Sequence, residues 1–196
     1  VIKGLFISTF AGFVLAFIIG KIVQVVTRKS SAKKVRPVFN KLQVASAIFM
    51  AYNHGMNDGQ KFVGIFTLTL MQAAILTKFE VVWPVVLVCA LTMGLGTAFG
   101  GWKILKTVGQ KMVHIESWQG FSAEAGASSM IFVASHYGIP LSTTHTITTS
   151  ITGSAASLNA KQVNWGIVRG IVLAWLITFP VCTLIAFVVC SLLKQF

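Results

Sequence analysis

Charge is scarce in this sequence. Only 10% of its 196 residues are Asp, Glu, Lys or Arg, and four of them are acidic. So thin a polar surface excludes nucleic-acid binding in spite of the net charge of +12, because a basic footprint needs a folded polar face. Cysteine is rarer still: Cys89, Cys182 and Cys190 stand in apolar runs without CxxC or Cys/His spacing. That excludes a disulfide framework and a zinc site, and leaves them as packing residues. No nucleophile–base pair is visible, so covalent catalysis is not expected. A signal peptide is missing as well, since no short apolar stretch with a small-residue cleavage site opens the chain. The chain begins at Val1 rather than Met, and the expectation is a segment of a longer protein.

What is abundant is apolar. Residues of hydrophobic type make up 55% of the chain, which places it among polytopic membrane proteins, read here as all-α. The run 4–26 is long enough, at about 1.5 Å per residue, to cross a ~30 Å hydrocarbon layer, with Lys21 near its end. The stretch 27–41 carries Arg28, Lys29, Lys33, Lys34, Arg36 and Lys41 and reads as a cytoplasmic loop. Residues 42–77 are apolar but interrupted, and one continuous helix of that length would run ~54 Å, too long for a single crossing; a broken helix is expected. A further crossing covers 81–101, with Trp83 and Trp102 marking its interfaces. The segment 102–119 is a basic connector, and it includes His114. Residues 120–158, small and rich in Ser and Thr, have flanks too short to span, which points to a re-entrant helical hairpin. The last crossing is 165–193. The whole reads as a single membrane domain, 1–196, with about four transmembrane crossings and both termini outside.

Two interruptions carry the chemistry. Inside a membrane a broken helix is tolerated only where it is buried or lines a wet cavity, so two of them argue for a midplane binding site. In GIPLSTTH (138–145), Pro140 disfavours helix at Ile139 and Gly138 accepts unusual backbone angles. Ser142 then caps a new helix, with Thr143, Thr144 and His145 in its first turn. Free amides, hydroxyls and a helix N-terminus make an anion site; simple capping of a kink is the plainer alternative. In NHGMNDGQK (53–61), Gly55 and Gly59 mark the expected break and Asp58 is a candidate cap. Asn57, Gln60 and Lys61 offer donors to an anion. Asp58 repels one unless a cation joins them, either sodium or a proton. A cation required for anion binding is an ion-coupled symporter. The alternative is structural, with Asp58 a helix cap or the partner of Lys61.

Glu124 lies in the first half of the hairpin and is a candidate by the same reasoning, since intramembrane acids are functional by default. Glu80 and Glu116 read as solvated. His54, His136 and His145 border the breaks without metal-binding spacing; proton handling and ordinary hydrogen bonding both fit them.

Together, HGMNDGQK (54–61) and GIPLSTTHTITTSITG (138–153) resemble the paired signatures of the inorganic phosphate transporter family, in its C-terminal repeat. Asn53 and Leu141 stand where Ser or Phe and Val are more usual. The resemblance implies two inverted repeats, with phosphate and its coupling cations bound between them. It implies Asn57, Gln60, Lys61, Ser142, Thr143 and Thr144 as phosphate residues, and Asp58, with Asn57 and Thr144, for the coupling ion, Na⁺ or H⁺. Glu124, His54 and His145 would be modulators. No cofactor is implied. One copy of each signature is present, so half a site is expected, completed by an N-terminal repeat or a second copy within the lipid. Sulfate transport, an anion channel and an auxiliary half-subunit remain the rival readings.

Overall fold

A computed structural model describes residues 2–106, 112–113 and 115–193. His114 and Lys111, expected in the basic connector, lie outside the described residues. In chain order the helices are α1 (Ile2–Thr27), α2 (Ala32–Gln72), α3 (Trp83–Lys106), α4 (Ser117–His136), α5 (Thr143–Asn159) and α6 (Trp165–Leu193), with a 3₁₀ turn, Ala160–Gln162, after α5. No strand occurs among the described residues. The chain falls into two compact units, one up to Val163 and one from Asn164 on. The second is α6, which carries Pro180 in its interior.

In the first unit α1, α4 and α5 pack on one another and α2 packs on α4. Small residues allow the close approach. Gly126 lies on the backbone of Ala16, and Gly153 lies on the backbone of Phe13, where an added Cβ would overlap the Phe13 carbonyl. Serines tie the helices together: Ser150 donates to the Gly12 carbonyl at 2.9 Å, and Ser154 to the Gln119 carbonyl at 2.8 Å. Small residues with short polar side chains suit an apolar surround, where burial of greasy surface gives no net drive for helix association. Aromatic pairs, Phe39 with Phe121 and Phe49 with Phe132, seat α2 on α4.

Two expectations are corrected. The basic stretch 27–41 is a loop only over 28–31, because α2 begins at Ala32 and includes Lys33, Lys34, Arg36 and Lys41. Lys and Arg are good helix formers, and Pro37 is tolerated near the helix start, where it forfeits one backbone hydrogen bond. More important, the helix expected to break within 42–77 is continuous for 41 residues. A glycine in a helix costs only ~1 kcal/mol relative to alanine, so Gly55 and Gly59 permit a break without forcing one. Asp58 therefore caps nothing.

Among the described residues, three stretches are long and apolar enough to cross a membrane: Gly4–Thr27, Trp83–Trp102 and Trp165–Leu193. α2 is the fourth that the sequence suggested, and the polar island 53–61 lowers its hydropathy too far for that set.

The interruption at 138–142 is real. Gly138 has φ +64°, and the α4 terminus closes with Ile139 N–H donating to Ala134 O at 2.8 Å and Gly138 N–H to Ser135 O at 3.1 Å. This paired closure with a left-handed glycine is a standard helix stop. Ser142 then starts α5, its hydroxyl accepting from His145 N–H at 3.3 Å.

Candidate functional site at the hairpin tip

The polar island is a stripe on an unbroken helix. Asn53, Asn57 and Lys61 follow at four-residue steps, with His54 and Asp58 beside them, so one face of α2 carries all five. The hairpin tip rests near this face, where Met50 packs against Ile131, Ala134 and Leu141.

Asp58 is the centre of the cluster. Its Oδ1 accepts from Lys61 Nζ at 2.7 Å and from Asn57 Nδ2 at 3.1 Å. Its Oδ2 accepts from Thr143 Oγ1 at 3.0 Å and lies 3.0 Å from His54 Nε2. The Leu141 carbonyl, outside either helix, accepts from Lys61 Nζ at 2.6 Å and from Asn57 Nδ2 at 3.3 Å. Residues 80 or more apart in sequence are thus joined through two oxygen-bearing groups. Desolvation strengthens such charge-assisted bonds and raises the cost of removing one partner.

The other expected residues are placed differently. Ser142 is committed to capping α5. Gln60 is exposed and lines a cavity of about 210 Å³ with Asn57, Lys61, Ser135 and residues 138–140. Thr144, expected with Asp58, is exposed; it is not brought into the cluster. His145 is buried in the first turn of α5. Glu124 accepts a hydrogen bond from Ser46 on α2, twelve residues before Asp58, or about 18 Å along the helix.

Sequence reasoning missed Ser135 and the Leu141 carbonyl. Ser135 is buried, and its hydroxyl meets no partner among the described residues. Its signal was available: it stands one turn before the left-handed glycine, and a short polar side chain buried there needs a reason. A main-chain carbonyl leaves no such mark.

On the far side of α2, Asp58 and His54 border a groove of about 760 Å³, shared with Met93 and Thr97 of α3. The stripe therefore has open space on two sides.

Comparison with known proteins decides the lineage. The model of the phosphate transporter family matches residues 1–186. The chain belongs to this family. It is 40% identical over 183 residues to a probable low-affinity inorganic phosphate transporter of Bacillus subtilis, covering 92% of this chain and 55% of that protein. It is 41% identical over 176 residues to a protein of the same description from Rhizobium meliloti, covering 89% and 53%. Among solved structures, a sodium-dependent phosphate transporter matches with TM-score 0.67 at 23% identity, covering 89% of this chain and 52% of that one, which establishes a shared fold. The chain spans about half the length of these relatives. Family membership and the apolar helices make it a multi-pass protein of the cell membrane, and the family consists of transporters, not enzymes.

Proposed function

We propose that this chain forms one half of an inorganic phosphate symporter driven by a cation, sodium or proton, and working by alternating access. The other half would be an N-terminal inverted repeat or a second copy, with the hairpin 120–158 re-entering the membrane between them. The observation that carries this reading is the small cavity at the hairpin tip. It is lined by Asn57, Gln60, Lys61 and Ser135, and the buried Ser135 hydroxyl has no partner among the described residues. Both Asn57 N–H groups are committed to Asp58 and Leu141, and the Gln60 amide, the Ser135 hydroxyl and the remaining N–H of Lys61 are the donors left for an oxyanion. Ser142 caps the N-terminal end of α5 and Thr143 ties that end to Asp58, and the helix dipole there favours negative charge.

The test is uptake of radiolabelled phosphate into vesicles, with the chain expressed together with all the sequence its gene encodes. Lys61→Ala should raise the half-saturating phosphate concentration about tenfold or more, as loss of a charge-assisted bond does. An unchanged value removes Lys61 from the phosphate site. Excess sulfate should compete weakly; competition equal to that of unlabelled phosphate would favour a general oxyanion permease, and flux indifferent to any cation gradient would favour a channel.

A further inference from the structure

A coupling sodium ion held at a broken hairpin is bound by carboxylate, main-chain carbonyl and hydroxyl oxygens. The Asp58 carboxylate, the Leu141 carbonyl and the Thr143 hydroxyl are such a set, gathered at one place. The residues around them do not fit the ion. Lys61 Nζ stands between Asp58 Oδ1 and Leu141 O, at 2.7 Å and 2.6 Å, in the position a metal ion would take. Asn57 turns its Nδ2, a donor, toward those same oxygens. An ionised carboxylate has about four acceptor directions, and Lys61, Asn57, Thr143 and His54 fill them. Sodium entering here would have to expel a half-buried ammonium and leave it unpaired, and such an uncompensated charge is strongly unfavourable.

We infer that Lys61 is this half's own cation: its ammonium permanently fills the place of a coupling metal ion beside Asp58, so this half binds no sodium there. The inference rests on the transport reading and assigns Lys61 a part in ion selectivity. The charge that lets an anion approach Asp58 is covalently supplied. Cation dependence of the transporter then has to come from elsewhere in the assembled protein or from protons.

The deciding measurement is equilibrium binding of ²²Na⁺ to the purified protein, expressed with all the sequence its gene encodes, without phosphate. Lys61→Met keeps most of the stem and removes the charge. It should bind one more saturable sodium per chain than the parent. The double variant Lys61→Met with Asp58→Asn should lose that ion, and Lys61→Arg should match the parent. A Lys61→Met protein with no more sodium than the parent overturns the inference. So does a parent whose bound sodium disappears in Asp58→Asn, a comparison that decides the matter even if Lys61→Met fails to fold. Phosphate uptake by the same parent preparation reports separately on the transport reading. A parent that moves no phosphate under any gradient would overturn that reading, while the sodium counts would still locate the ion.

Discussion

The polar stretches at 53–61 and 138–145 look alike in sequence, yet one is a continuous helix and the other a break. Both contain glycine, both contain capping residues, and both sit between apolar runs. The difference lies in proline and in spacing. Pro140 lacks an N–H and pushes Ile139 out of the helical region, while Gly138 takes a left-handed angle that closes α4. Gly55 and Gly59 have no such neighbour. Their polar companions recur at helical steps, so all of them share one face without the backbone bending. A break places main-chain groups at the site, as with the Leu141 carbonyl. A stripe places side chains there, as with Lys61 and Asp58. The site needs one of each, and they are joined by the bonds from Lys61 and Asn57 to the Leu141 carbonyl and from Thr143 to Asp58.

The largest effect expected is at that junction. Asp58→Asn removes the charge that Lys61, His54 and Thr143 all address, leaves the Lys61 ammonium without its carboxylate, and should abolish phosphate uptake while the protein still reaches the membrane. Fully coupled uptake by this variant would separate the two regions into independent pieces. Next comes Gly138→Ala, which forces a left-handed angle on a residue with a Cβ and should destabilise the protein by about 1–2 kcal/mol, read as a lowered thermal midpoint in detergent. An unchanged midpoint would mean that the break does not depend on that turn. The smallest effect has the opposite sign. A Cβ at Gly55 or Gly59 meets nothing within 4 Å, so each alanine substitution should stabilise α2 by roughly 0.5–1 kcal/mol. Loss of stability in both would restore a break at the island and end the contrast between the regions.

These positions also show how much was legible. The hairpin could be read because Gly138, Pro140 and Ser142 each act through local backbone chemistry, which survives any tertiary context. The helical character and the apolar runs followed from composition. The continuity of α2 was misread because glycine was weighed and periodicity was not: Asn53, Asn57 and Lys61 at four-residue steps were the better signal. The start of α2 was obscured by charge, since Lys and Arg mark cytoplasmic segments and also form helix. Of the expected site residues, Asn57, Asp58, Lys61 and Thr143 meet directly, whereas Thr144 does not, because consecutive residues of a helix point about 100° apart. Ser135 was lost in a run of small residues where burial, not identity, distinguishes it.

The Leu141 carbonyl has a consequence for genetics. Because the acceptor of the Lys61 and Asn57 hydrogen bonds is a backbone atom, every amino acid at 141 supplies it equally. Mutational scanning of that codon will report only how well a side chain fills the space beside Ile131 and Ala134, and the position will score as ordinary packing. The contact is open to synthesis instead: an ester in place of the 141–142 amide, introduced as an α-hydroxy acid at 142, weakens that one acceptor, removes the N–H of residue 142 and leaves every side chain unchanged.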